Sequence, residues 1–143
     1  MKYLWLIFAL LSALSASLVA IFGKIGLKTV DANTATAIRS VVMAVFLIGV
    51  VAVQGKLPLL PSVFSDKKTL AFIVFSGLAG ALSWLFYFLA LKYGPVTKVA
   101  PIDKLSVVIA ALMAILFLGE KITALNGLGI GLIAAGAIIV AIS

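Results

Sequence analysis

Apolar residues in this chain do not alternate with polar ones; they run on, five times over. The runs cover 3–22, 32–53, 69–91, 96–118 and 122–142. Each is about twenty residues long, which at about 1.5 Å rise spans the hydrocarbon of a bilayer. Backbone groups find no water in lipid, so each run is predicted to be a helix. Strands of a membrane barrel would be shorter and would alternate. The fold class expected is all-α, with five transmembrane helices in a single domain over 1–143.

The punctuation between the runs has local causes. Gly23 is expected to end the first helix, and Asp31 or Asn33 to cap the second. Gln54-Gly55-Lys56-Leu57-Pro58 and Pro61 break the chain before Ser65-Asp66-Lys67-Lys68 leads into the third helix. That long loop carries Phe64 and is expected to hold an interfacial turn. Gly94-Pro95 turns into the fourth helix, Gly119 stops it, and Thr123 is placed to cap the fifth. Lys2, an apolar stretch and small residues imitate a signal peptide, but the apolar run continues through Phe22. A retained first helix is the expectation.

Composition agrees with a membrane setting. The 143 residues are 65% hydrophobic and 10% charged, well under the charged share of about 25% that soluble domains carry. Cysteine and histidine are absent. Disulfides, thiolate zinc sites and the usual imidazole base are therefore excluded. The four acids, Asp31, Asp66, Asp103 and Glu120, are scattered, so neither an enzyme, a metal nor a cofactor is expected. The net charge of +7 comes from lysines that sit mostly at the ends of apolar runs. That is where a membrane interface places cations, so nucleic acid is not an expected partner.

Five crossings put Lys2, Lys56, Lys67, Lys68 and Lys121 on one side and Lys24, Lys28, Lys92 and Lys98 on the other. So small a bias under the positive-inside rule leaves two readings open. One is a weakly biased single orientation. The other is insertion both ways, which would permit an antiparallel homodimer.

Three charges fall inside the runs: Arg39, Asp103 and Lys104. Each costs about 2.5–3.5 kcal/mol at mid-helix on insertion scales, so partners or water must be supplied. Arg39 lies eight residues after Asp31 and Asp103 eight after Pro95, about 12 Å deep in each case. A pair between them is the natural expectation. Lys104, about 100° around the helix from Asp103, is expected to point to another wall. In one reading the pair locks two helices while Lys104 snorkels. In another the three hold or gate a charged substrate, and a third makes Asp103 a proton relay.

Trp84, Tyr87 and Phe88 share a helix face near the same end. Trp84 and Tyr87 either stack on a substrate or belong to an aromatic belt, as Tyr3 and Trp5 do. Gly127, Gly131 and Ala135 form a small-residue stripe suited to close helix packing or to a dimer. Ser12, Ser15 and Ser17 are expected to bond their own helix.

The sequence resembles a known family. Phe88-Leu-Ala-Leu-Lys-Tyr-Gly94, the helix end Phe117-Leu-Gly-Glu-Lys121, and Asn126-Gly-Leu-Gly-Ile-Gly131 with Ala135-Gly136 are similar to the EamA domain of the drug/metabolite transporter superfamily. Gly23-Lys24 and an arginine near the start of the second helix agree, and the resemblance covers nearly the whole chain. It implies a five-helix repeat from a fold normally built of two inverted repeats, here in its short, single-repeat bacterial or archaeal form. Typical members carry a proline further down the fourth helix; Val107 stands roughly there, and Pro101 comes earlier. That departure leaves the substrate open.

The function expected is a small secondary transporter in the cytoplasmic membrane of a prokaryote. It would work as a dimer by alternating access on an anionic or zwitterionic metabolite, through Arg39, Asp103, Lys104, Trp84 and Tyr87. The second repeat would come from a homodimer or from a paired partner chain. The alternatives are a lipid-linked-sugar flippase subunit and a non-transporting assembly subunit.

Overall fold

A computed structural model describes residues 4–143. Lys2 and Tyr3 therefore lie outside the described residues. All regular structure among the described residues is helical, and five helices are long and apolar enough to cross a membrane. Helix α1 is Leu4–Gly26, α2 is Ala32–Val53, and α3 is the short Leu60–Ser65. The remaining elements are α4, Lys67–Tyr93; α5, Val96–Asp103; α6, Leu105–Leu118; and α7, Ala124–Ile142.

The helix ends follow from local chemistry. The Asp31 carboxylate accepts the Asn33 and Thr34 N–H groups at 2.9 and 3.0 Å and so caps α2. Asp66 does the same for α4 through Lys68 and Thr69. The Thr123 hydroxyl accepts the Asn126 N–H at 3.2 Å and caps α7. Gly119, at φ 68°, takes the left-handed turn that stops α6, and its N–H turns back on the Ala114 carbonyl. Ser15 and Ser17 donate to Leu11 and Leu14 of their own helix, as expected.

Several boundaries differ from the sequence reading. Gly23 does not end α1, which runs on to Gly26; a glycine in a helix only weakens it, and here the position is used for packing. Helix α4 starts at Lys67, because Asp66 caps it earlier than the apolar pattern begins. The fourth crossing is two segments, with Lys104 between them. Pro101 lacks the N–H that would bond the Thr97 carbonyl, and the chain tightens to three-residue turns just beyond it. Lys104 N–H bonds Pro101 at 3.0 Å and Val107 N–H bonds Lys104 at 3.0 Å. Helix α7 begins at Ala124, after its Thr123 cap, rather than at 122. The long loop holds a 3-10 turn over Leu57–Leu59 running into α3, with prolines in the first turns of both.

The chain forms two compact units. Of the described residues, the first comprises 4–22 and 93–143, and in it α7 packs on α5 and α6. Its close-packed residue on α7 is Ala137, 3% exposed, whereas Gly131 and Ala135, towards the far side of the helix, are exposed. The second unit, residues 23–92, brings together the end of α1, α2 and α4. Its buried residues are Leu27, Ala32, Thr36, Phe88 and Leu91. Most other large apolar side chains face outwards, Phe46 and Phe72 among them. In lipid that exposure carries no penalty, so close packing and polar contacts hold the helices together.

Candidate functional site

Arg39 reaches the second unit's centre from the second turn of α2, one turn beyond Thr36. Thr36 is 7% exposed and gives its hydroxyl proton to the Ala32 carbonyl at 2.7 Å. Its methyl group and the small Ala32 allow α2 to approach its neighbours, and Arg39 follows on the same face. The guanidinium lies over the Trp84 ring, 3.6 Å from its centre, and 5.2 Å from the centre of Phe88. A π face attracts a cation most strongly where water is scarce. Within this unit Arg39 has no carboxylate partner; its charge rests on aromatic faces.

The rings hold one another in place. Trp84 and Tyr87 meet edge-to-face at 5.7 Å and 85°, and Trp84 and Phe88 at 6.0 Å. These are favoured quadrupole geometries, and they follow from the i, i+3, i+4 spacing on α4. Trp84 and Tyr87 are half-buried and Phe88 is buried. Trp84 thus carries the arginine on one face, an arrangement beyond that of a simple interfacial belt. Gly23 completes the wall. A Cβ built there would lie 3.1 Å from Phe88 Cζ, so a larger residue would require the ring to give by a few tenths of an ångström, while Leu91 Cδ1 at 3.7 Å would be in ordinary contact.

The first unit holds the other two charges. The Lys104 ammonium and the Asp103 carboxylate form an ion pair at 3.2 Å. The expectation that these neighbours point to different walls is therefore corrected. The tightened turn at Lys104, with ψ −7°, and the long lysine stem bring the ammonium back to its neighbour. The pair lies at the junction of α5 and α6, with Asp103 one-third exposed and Lys104 about half. Arg39 and Asp103 thus belong to different units, and each has a partner within its own.

Sequence reasoning placed Arg39, Trp84 and Tyr87 at one level but did not join the arginine to the ring. It missed Gly23 as a packing position, although Gly23 and Phe88 both appear in the motifs quoted above. It also missed a reciprocal arrangement at the ends of α1 and α4. The Lys24 ammonium donates to the Leu91 carbonyl, and that of Lys92 to Leu27 at 2.7 Å and Val30 at 3.2 Å. Each helix end is closed by a lysine of the other, where cations complement the negative pole of the helix dipole.

Five apolar spans, with an arginine on aromatic rings in one unit and an ion pair in the other, define a multi-pass membrane protein that carries charged groups within its spans. The EamA-like transporter family matches residues 3–142, and the chain belongs to that family. It is 44% identical over 142 residues to a Sinorhizobium sp. protein described as an uncharacterized transporter in the cobO 3' region, with 99% of each chain covered. No solved structure matches the chain.

Proposed function

We propose that this chain is a secondary transporter of a small anionic or zwitterionic metabolite, working as a dimer by alternating access in the cytoplasmic membrane of a prokaryote. The observation that carries the substrate class is Arg39. Its guanidinium sits in a membrane span on the Trp84 ring, with no carboxylate from its own unit to neutralise it. A π face stabilises the cation without consuming its five N–H donors. Those donors suit a carboxylate or phosphate arriving as substrate. Tyr87 and Trp84 supply stacking surface beside it.

Asp103 and Lys104 are the second element of the mechanism. An ion pair at a helix junction exchanges partners readily, and Asp103 is the proposed switching partner for Arg39 or for a substrate ammonium. The chain contains one five-helix repeat, and a second copy would supply the other half of a two-repeat transporter. Gly131 and Ala135 are exposed on α7, and nothing lies within 4 Å of a Cβ built at Gly131. That face allows close approach of a partner helix.

The test is a ligand screen followed by uptake. Purified protein is heated with a panel of small carboxylates, phosphates, amino acids and matched amines. A true substrate at about a hundred times its dissociation constant stabilises by about 2.7 kcal/mol. Hits are then assayed for uptake into proteoliposomes. Anions or zwitterions should stabilise and be taken up, and Arg39→Gln should abolish both effects. Preference for simple amines, or uptake indifferent to Arg39→Gln, would rule out the substrate class.

A further inference from the structure

Three lysines gather around one cavity at the ends of α1 and α4. Lys24, Leu27, Lys28, Leu91 and Lys92 line a space of about 270 Å³, all within the second unit. Lys24 and Lys92 are fixed there by the carbonyls of Leu91, Leu27 and Val30. Lys92 uses two of its three N–H donors in this way, leaving one to spare. Lys28 is exposed, and its ammonium makes no hydrogen bond or ion pair among the described residues.

No acidic residue lines the cavity. The nearest acid along the chain, Asp31, has Oδ2 engaged by the Asn33 and Thr34 N–H groups and the Thr34 hydroxyl. Bare helix C-termini would repel an anion, but here lysines already cover the terminal carbonyls. The balance around the space is positive. Its floor is apolar, since Leu27 and Leu91 are 3% and 0% exposed. Its position at the ends of two membrane spans is the level at which phospholipid headgroups lie.

We propose that this pocket binds a phosphate group, with Lys28 as the gripping cation and Lys24 and Lys92 as its fixed wall. The phosphate belongs either to an anionic phospholipid or to a soluble phosphate compound. Bound there, it ties the ends of α1 and α4 together. The site is separate from the Arg39 cluster and does not rest on the transport reading.

The experiment uses the full chain purified in neutral detergent, with dioleoyl phosphatidylglycerol, dioleoyl phosphatidylcholine and inorganic phosphate as probes. Thermal stability is titrated against each. Phosphatidylglycerol should raise the melting temperature more than phosphatidylcholine. Lys28→Gln should weaken that effect about fivefold, the share of one lysine near an anionic surface. Lys56→Gln, at the other end of α2, is the control and should change nothing. If inorganic phosphate reproduces the shift and competes with the lipid, the natural ligand is soluble; if only the lipid acts, it is a headgroup. Equal weakening by Lys28→Gln and Lys56→Gln, or no shift with any probe, overturns the site. The Lys28 ammonium makes no hydrogen bond or ion pair among the described residues, so its replacement leaves the fold intact.

Discussion

Replacing Trp84 by leucine tests the contact on which the candidate site is built. The guanidinium carbon of Arg39 lies 3.6 Å from the Trp84 ring centre, within contact distance. Such a contact is worth about 0.5–1 kcal/mol in water and about 2 kcal/mol or more when desolvated. Arg39 is half-buried, about 12 Å along α2 from its cap, so the upper part of that range applies. Leucine keeps apolar bulk but removes the π face. It also removes the edge contacts to Tyr87 and Phe88, worth about 0.5–1.5 kcal/mol each. Those losses occur whether or not Arg39 is present, and a double-mutant cycle separates them. Trp84→Leu, Arg39→Gln and the combination are unfolded at equilibrium in mixed micelles. The expected coupling is about 1.5–2 kcal/mol. Trp84→Phe should retain about half of it, since phenylalanine offers a weaker face. A coupling below about 0.5 kcal/mol would mean that the ring does not hold the cation, and the reasoning from Arg39 to an anionic substrate would lose its basis.

Gly23→Ala gains about 1 kcal/mol of helix propensity but crowds buried Phe88, at a cost of about 1–3 kcal/mol. A lower melting temperature is expected; a higher one would mean that Phe88 has room to move. The Thr34 N–H bond, with help from the Asn33 N–H and the Thr34 hydroxyl, holds the Asp31 carboxyl below the usual carboxylate range; for Asp66 the Thr69 hydroxyl is the main cause. Their capping contributions are therefore complete above about pH 3.9 and are lost as pH falls through the lower folded values. Asp31→Asn with Asp66→Asn keeps both caps and should flatten the acid limb of a melting-temperature profile; an unchanged limb would place the acid sensitivity elsewhere. Arg39→Gln and Asp103→Asn should be less harmful to uptake together than the sum of each, as exchange partners would be, and strict additivity counts against the switching role. Gly131→Leu should weaken a dimer formed through α7, measured by sedimentation in detergent; an unaltered dimer moves the interface to another helix.

Much of the architecture was legible without coordinates, because the bilayer leaves few choices. An apolar run of span length must be a helix, and the five runs are five helices. Caps were legible for the same local reason: Asp31, Thr123 and Gly119 act through neighbours two to five residues away. Pro101 was noticed, but its consequence was not, since a proline in a membrane span is accommodated either by a kink or by a local change of turn. Here the chain tightens at Lys104, and the lysine falls back onto Asp103.

The partners of the charges belong to tertiary structure. Counting residues from a helix cap gives the depth of Arg39, yet depth is one coordinate of three. It leaves open which way around the axis the guanidinium points and which helix stands there. The ring of Trp84, 45 positions further along the chain, lies against the guanidinium, a contact that the depth argument did not supply. The same holds for Gly23, which as a string of letters reads as a helix end and in the fold is the flat spot on α1 against Phe88. It holds again for Lys24 and Lys92, whose mutual capping joins carbonyls more than sixty residues distant. Hydropathy and capping are short-range and are written in the order of residues. The identity of a contact across helices depends on rotation and packing, which no local pattern specifies.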